Sequence, residues 1–391
     1  MKFTTQLSNF QKLLQKVLPA VPARAAFEAL EYISLSLVGD ELTAIASDTE
    51  ITIKSKTTVA GANNGELLVP AKKINEIVKV LDATKDMHLE CNDDFVIKIT
   101  SGKGKFQING MNPEEYIELP ELFDVELPSI KDKTDKNHAT AFFKKEIIQK
   151  LATQTYFAVS QDEYRLNMSG VLFQFRQTYV NAVATDSFRL VRSTTFATET
   201  EFPNDINILV PARAVEICRK VDEDLTMLLD MEQEKHSSLR MDFGDTTIVT
   251  RLINENFPKY EAIIPVSNNC QATFDISEIL GAIKRVAPIA NERYKKCKLD
   301  FSAEKLKVIC ENEDTNEEAI EEVSAELLDA DEFSITFNIK YLEEVMQNVS
   351  PDDTMNNLVS MFFISSDKAA LIKPKSEQES LVMILMPIRM S

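Results

Sequence analysis

Val69-Pro70-Ala71-Lys72-Lys73-Ile74 opens an amphipathic stretch, and Val210-Pro211-Ala212-Arg213-Ala214-Val215 opens a second of the same pattern roughly 140 residues later. Phe337-Asn338-Ile339-Lys340-Tyr341-Leu342 stands where a third copy belongs, with the proline lost and the basic residue kept in place. A spacing of about 130–140 residues is too long for solenoid repeats of about 20–50 residues and is the size of a whole domain. The chain therefore reads as three related domains.

Other landmarks recur in the same order. Each third begins with a phenylalanine followed by a helical pattern: Phe3 before Phe10, Leu13, Leu14 and Val17; Phe143 before Ile147, Ile148 and Leu151; Phe274 before Ile279, Leu280 and Ile283. Strand-like Ile45-Ala46-Ser47-Asp48 and Val183-Ala184-Thr185-Asp186 follow in the first two thirds, and Val308-Ile309-Cys310-Glu311 is the weaker third version. Asn112-Pro113-Glu114-Glu115-Tyr116 and Phe257-Pro258-Lys259-Tyr260 close the first two thirds. Polar, aperiodic seams at Pro128–Asn137 and Val266–Asn269 set the expected domains at 1–128, 138–265 and 271–391.

Composition narrows the function. Nine glycines and three histidines in 391 residues leave little material for phosphate-cradling loops or imidazole centres. The single G-x-G, Gly102-Lys103-Gly104, precedes a strand pattern instead of opening a helix, so neither nucleotide fingerprint fits. His88, His138 and His236 lie in unrelated contexts, and the abundant carboxylates follow no metal-loop spacing. No catalytic residue, metal or cofactor is expected. Cys91, Cys218, Cys270, Cys297 and Cys310 are scattered without C-x-x-C and read as reduced, buried thiols. Met1–Thr5 has no apolar leader and Leu381–Met386 is too short to span a bilayer, so a cytoplasmic, membrane-free protein is expected.

A net charge of −19 argues against nucleic acid until its distribution is considered. The six helix-like segments, Ser8–Leu18, Ala71–Asp82, Phe142–Leu151, Pro211–Lys220, Asp275–Arg285 and Asn338–Asn348, together carry +6 and leave −25 elsewhere. Lys12 and Lys16 share one helical face, as do Lys72 and Lys79, opposite the apolar stripe. Such helices suit a common basic surface, and equally they suit ordinary solvated lysines. Two strand-like segments carry opposite charge: Lys98–Ile108 is basic, with Lys103, Lys105, Phe106 and Ile108 alternating, and Glu311–Glu322 is acidic, with Glu317, Glu318 and Glu321. Either they are edges protected by charge, or they are complementary edges that join two copies head to tail.

These residues together resemble the bacterial DNA polymerase III beta subunit family, the processivity sliding clamps. The markers are Met1-Lys2-Phe3-Thr4, the two Val-Pro-Ala-basic repeats, Val183–Leu190, Asn256–Tyr260, Phe337–Tyr341 and Met386–Met390, in order over the whole length. The resemblance implies an α+β fold of three repeated clamp domains. Each would have two inner helices and outer antiparallel sheets, and two chains would form a closed ring around duplex DNA with no sequence preference. It implies phosphate contacts from Arg24, Lys12, Lys16, Lys72, Lys144 and Arg213, and a dimer edge formed by the two charged strands with Ile289 and Tyr294 as apolar partners. It also implies a pocket for a short peptide motif of the polymerase III catalytic subunit, clamp loader, repair polymerases and mismatch-repair proteins. That pocket would comprise Met168, Thr185, Ser187, Phe188, Arg189, Leu190, Pro258, Ile263, Ile384, Met386, Pro387, Ile388 and Arg389.

The chain departs from the family pattern at several places. Phe188 replaces a histidine, Met168 a leucine, and Ser391 extends past the usual end. Leu166 and Asn167 stand where members can carry two tyrosines, which removes an expected base-stacking contact. The competing expectations are an acidic interaction scaffold that never touches DNA and a metal-dependent nuclease built on the Asp and Glu clusters.

Overall fold

The computed structural model describes residues 1–125, 138–196, 199–200, 205–231, 237–349, 357–375 and 380–388. The seam Pro128–Asn137, His236 and the terminal Arg389, Met390 and Ser391 lie outside the described residues.

The sequence repeat is a repeat of topology. The first third runs β1 (Lys2–Gln6), α1 (Leu7–Val17), β2 (Tyr32–Val38), β3 (Glu41–Ser47), β4 (Ile51–Thr58), β5 (Ala60–Asn63), β6 (Gly65–Pro70), α2 (Ala71–Val80), β7 (Asp86–Cys91), β8 (Val96–Ser101) and β9 (Gly104–Asn109). The second runs β10 (His138–Phe143), α3 (Lys145–Tyr156), β11 (Gly170–Phe175), β12 (Val180–Thr185), β13 (Arg189–Thr195), β14 (Glu199–Thr200), β15 (Ile206–Pro211), α4 (Ala212–Cys218), β16 (Leu225–Asp230), β17 (Ser238–Phe243) and β18 (Thr246–Arg251). The third runs β19 (Cys270–Asp275), α5 (Ile276–Val286), β20 (Lys296–Ser302), β21 (Lys305–Asn312), β22 (Glu317–Leu328), β23 (Glu332–Asn338), α6 (Ile339–Asn348), β24 (Leu358–Phe363), β25 (Ala370–Pro374) and β26 (Leu381–Leu385). Each third holds two β-α-β-β-β motifs, with a short extra strand, β5 or β14, between them in the first two thirds.

The recurring phenylalanines Phe3, Phe143 and Phe274 sit in the strand before each first helix, and all three are buried. The Val-Pro-Ala pattern marks the strand-to-helix joint before each second helix. Pro70 and Pro211 occupy the cap position there with an extended backbone, which the proline ring pre-sets. Where the third copy has Asn338 instead, its side chain accepts from the backbone N–H of Lys340 (3.0 Å) and Tyr341 (3.5 Å), a side-chain cap that proline cannot supply. One boundary differs from expectation. The segment Phe142–Leu151 is not wholly helical: Phe142 and Phe143 belong to β10, and α3 runs from Lys145 to Tyr156. Asp224 fixes that start, accepting from the Lys145 backbone N–H at 3.0 Å.

Packing groups the chain into two compact units that cut across the three repeats. The first comprises Met1–Lys145, Glu199–Pro203 and Val221–Leu252. It holds an antiparallel five-stranded sheet, β5-β1-β7-β8-β9, and a nine-stranded sheet, β14-β10-β16-β17-β18-β4-β3-β2-β6. Helix α1 buries Leu7, Phe10, Leu13, Leu14 and Val17 and leaves Lys12 exposed. The second comprises Glu146–Thr198, Asn204–Lys220 and Ile253–Ser391, with one twelve-stranded sheet, β15-β11-β12-β13-β26-β25-β24-β19-β22-β21-β20-β23. No described helix is long and apolar enough to cross a membrane.

Two ladders splice the repeats. In the first unit β18 pairs with β4, with Ile248 opposite Ile53; in the second β13 pairs with β26, with Leu190 opposite Ile384. In both cases the last strand of one motif takes the last strand of a motif from the following repeat.

Candidate peptide groove and nucleic-acid interface

The turn Asp186-Ser187-Phe188-Arg189 joins β12 to β13 and repeats the turn Asp48-Thr49-Glu50-Ile51 of the first third. Asp186 Oδ1 accepts from the backbone N–H of Phe188 and of Arg189, both at 2.9 Å, as Asp48 does from Glu50 and Ile51. Both turns place their second residue in the left-handed region, Ser187 at φ 79° and Thr49 at φ 77°. The acid that ends each strand in sequence is thus what folds the next turn. In the second unit that turn pushes Phe188 outward, to 52 % exposure.

Below it, the β13–β26 ladder presents Leu190, Ile384 and Val382 to a buried cluster with Leu172, Val183, Leu209, Tyr260 and Leu371. Phe257, Ile253 and Ile264 pack over that cluster, and Pro258 accepts from the Tyr260 backbone N–H at 2.8 Å. Tyr260 is pinned by donating to Gln174 Oε1 at 2.7 Å, and burial pushes its hydroxyl up to about 12. Around this floor the apolar side chains Phe188, Ile263 (48 % exposed) and Met386 (38 % exposed) reach solvent. Met386 donates its backbone N–H to the Phe188 carbonyl at 2.8 Å, so the residue after β26 is tied to the turn. Met168 is buried, and Ser187 Oγ, 3.6 Å from its sulfur, also accepts from Arg165 at 3.0 Å. An apolar floor with exposed methionine, isoleucine and phenylalanine at its rim is suited to anchoring aliphatic or aromatic side chains of a peptide.

Two polar residues expected in the pocket are buried, as are the apolar Met168, Leu190 and Ile384. Arg189 is only 7 % exposed. Its Nε donates to Asp186 Oδ2 at 3.1 Å, Nη1 to Glu344 Oε2, and Nη2 to the Phe157 carbonyl at 2.6 Å. Its guanidinium also lies over the rings of Tyr341 and Phe157, at 4.7 and 5.1 Å. The donors that could orient a peptide backbone are therefore occupied within the protein. Thr185 is likewise buried, donating to the Arg189 carbonyl at 2.7 Å.

Ile388 points elsewhere. Its backbone N–H donates to Thr336 at 2.8 Å, and it lines a cavity of about 460 Å³ with Lys298, Ser334 and Asp367, none of them in the Leu190 cluster. Pro387 is half-buried between the two places, and Arg389 falls outside the described residues. The residue that sequence reasoning misses is Tyr341. Its ring stacks on Phe188, with centroids 5.7 Å apart and planes inclined by 24°, and it stands one helical turn before Glu344. Its place in the Phe-Asn-Ile-Lys-Tyr marker is the only hint.

The basic candidates sort by their surroundings. Lys12 and Lys16 on α1, Lys72 on α2 and Arg24 after α1 form no ion pair among the described residues, and Lys12, Lys72 and Arg24 are exposed. Lys144 is instead bound to Asp224 at 2.7 Å and sits 5.0 Å from the Phe142 ring. Arg213, the second residue of α4, is exposed. No three His, Cys, Asp or Glu side chains cluster to hold a metal among the described residues.

The charged strands are edges, with one qualification. Strand β9 is the outermost strand of its sheet, with Lys105 exposed and Phe106 and Ile108 half-buried; Lys103 precedes it in the β8–β9 turn. Strand β22 lies inside its sheet, but only partly. Residues 317–324 pair with β21 alone, and β19 covers only residues 325–328. The stretch with Glu317, Glu318 and Glu321 thus has one open side. Glu321 is bound to Arg285 at 2.9 Å, Glu317 accepts from Thr315 at 2.7 Å, and Glu318 faces Glu311 across the ladder. Ile289 is half-buried beside β21 and β22, and Tyr294 is half-exposed beneath Arg293 and Lys296.

Three family models match the chain in order: the N-terminal domain of the DNA polymerase III beta subunit over residues 1–120, the central domain over 143–259 and the C-terminal domain over 261–389. The chain belongs to that family. Similar relatives include the beta sliding clamps of Bacillus subtilis, 25 % identical over 400 residues and covering all of both chains, and of Staphylococcus aureus, 26 % identical over 399 residues and covering 100 % of this chain and 99 % of the relative. Among solved structures, the C. crescentus beta sliding clamp superposes with a TM-score of 0.86 at 23 % identity, covering 100 % of this chain and 99 % of that one. The B. subtilis DNA polymerase sliding clamp gives 0.84 at 24 %, with both chains fully covered. The three-domain, sheet-rich clamp fold of the beta-subunit family is the fold of this chain.

Proposed function

We propose that this protein is a DNA sliding clamp: two copies close a ring around duplex DNA and tether the replicative polymerase for processive synthesis. The observation that carries this reading is the splicing pattern. Strands β4 and β13 each find a partner from the following repeat, whereas residues 317–324 of β22 hold the same place in the third repeat and have none. The matching strand left open is β9 of the first repeat, and a second copy supplies it. The basic Lys103–Ile108 edge then meets the acidic Glu317–Glu321 edge in a heterologous contact that two copies close into a ring. Domains at 1–128, 138–265 and 271–391, a cytoplasmic location and a non-catalytic role belong to the same proposal.

The expected result for the double variant Lys103→Glu and Lys105→Glu is a monomer, because it sets like charges across the joint. Sedimentation at low concentration and low salt checks it, and an unchanged dimer would remove β9 from the interface. Retention on nicked circular DNA after loading by a clamp loader with ATP, and escape once the circle is linearised, separates the clamp from a scaffold that binds neither form.

The DNA path is assigned to Lys12, Lys16, Lys72 and Arg24, with Arg213, while Lys144 contributes less because Asp224 already holds it. Removing any one of the phosphate-binding side chains should flatten the log–log salt dependence of DNA binding by about one unit without changing sequence preference. Titrations of a Lys12, Lys16 and Lys72 triple alanine variant measure this; an unaltered slope would place the DNA elsewhere. The Leu190–Ile384 floor with its Phe188, Ile263 and Met386 rim is assigned to the short peptide motif of polymerase III catalytic subunit, clamp loader, repair polymerases and mismatch-repair proteins.

A further inference from the structure

Cys297 on β20 and Cys310 on β21 stand one step beyond Lys298–Ile309, the last pair of their antiparallel ladder, and continuing its register sets them opposite each other. Directly opposed residues in such a ladder have Cα atoms about 4.5–5.5 Å apart, inside the range of about 4.4–6.8 Å that a disulfide bridges. Both side chains are fully buried, and each thiol bears on the other's ionisation, which holds Cys310 down and Cys297 up. The other three cysteines stand on separate elements: Cys91 ends β7, Cys218 lies in α4 and Cys270 begins β19. The loop into β20 carries Lys295 in the left-handed region at φ 49°, a conformation unfavourable for a residue with a Cβ, held by hydrogen bonds from Lys295 to Asn291 and from Ile339 to Lys295.

We propose that Cys297 and Cys310 form a reversible intrachain disulfide, a modification site whose reactant is a small neutral peroxide. Hydrogen peroxide is close to water in size and crosses the packing that excludes a bulky disulfide reagent. The neighbouring Cys297 thiol favours ionisation of Cys310, and the thiolate is the nucleophile. Its sulfur attacks one peroxide oxygen, the O–O bond breaks, and sulfenic acid and hydroxide form; the hydroxide takes up a proton as water. The Cys297 thiol then loses its proton and attacks the sulfenic sulfur, forming S–S and releasing a second water. Overall two thiols are oxidised by two electrons and one peroxide is reduced to two waters. The product staples β20 to β21, the direct neighbour of the open-sided β22.

The test treats the folded full-length chain with hydrogen peroxide, removes excess peroxide with catalase, alkylates under denaturing conditions and maps the digest by mass spectrometry. Titratable thiols are expected to fall from five to three. A cross-linked peptide should join Cys297 to Cys310, and dithiothreitol should restore both. In a Cys297→Ser variant, Cys310 is expected to accumulate sulfenic acid, which dimedone traps when it is added together with the denaturant. Recovery of both residues as free thiols, cross-linking through any other pair, or a Cys310 that resists dimedone would each overturn the proposal. None of these readouts depends on the clamp reading, because they require neither DNA nor dimerisation.

Discussion

Replacing Arg189 with alanine is expected to destabilise the second compact unit by about 3–5 kcal/mol, the usual cost of removing one member of a buried charge network. The reason is what stays behind. Asp186, half-buried Glu344 and the Phe157 carbonyl all lose the donor that now satisfies them, and Tyr341 and Phe157 lose the cation between their rings. Lysine is not a conservative rescue, since a single ammonium cannot reach a carboxylate on each side, a carbonyl and two ring faces at once. Because the chain has two units, a single melting curve mixes them; hydrogen exchange at the amides of β13 and β26 resolves the effect. Faster exchange there, with peptide affinity falling in parallel, is the expected outcome. Unchanged exchange combined with abolished peptide binding would return Arg189 to the surface of the groove.

Removing Met386 through Ser391 is expected to abolish peptide binding while the dimer survives. Met386 contributes an exposed apolar anchor at the rim and the hydrogen bond that ties the segment to Phe188. An anchor of this type contributes on the order of 2 kcal/mol or more to an interface, about thirtyfold in affinity, and here the deletion also takes Pro387 and Ile388. The β13–β26 ladder ends at Leu385 and neither β9 nor β22 is touched, so assembly should be spared. Fluorescence titration with a clamp-binding peptide, alongside sedimentation, checks both halves. Full-strength binding by the truncated dimer would move the partner site away from this groove.

Local signals were legible and non-local ones were not. Six helices appear at the six places where apolar periodicity puts them, because each needs only its own stripe against a sheet. The start of α3 fails since Phe142 and Phe143 suit a strand or a helix equally, and the choice rests on pairing of β10 with β16, far along the chain. Tyr341 and Glu344 escape for a similar reason: the bond from Arg189 to Glu344 spans 155 positions, and no window of sequence contains both ends. Arg189 is expected in the pocket as a group that orients a peptide backbone, whereas the structure buries it with its donors already used, because burial of an arginine is decided by its partners. The open side of β22 depends on where β19 stops covering it, which composition cannot tell, although the acidic run marks the strand.

Pairing of β13 with β26 also sets an order of events. The floor of the groove needs Leu190 and Ile384 side by side, yet roughly two hundred residues of chain separate them, a pairing of the kind that forms late. On the ribosome, β13 emerges long before its partner strand and must wait with one edge uncovered. A chain interrupted just after β25 therefore carries α1 through α6 and its β9 edge but lacks the Ile384 side of the groove floor. On the peptide-binding role proposed for this groove, its floor is complete only once β26 has been made.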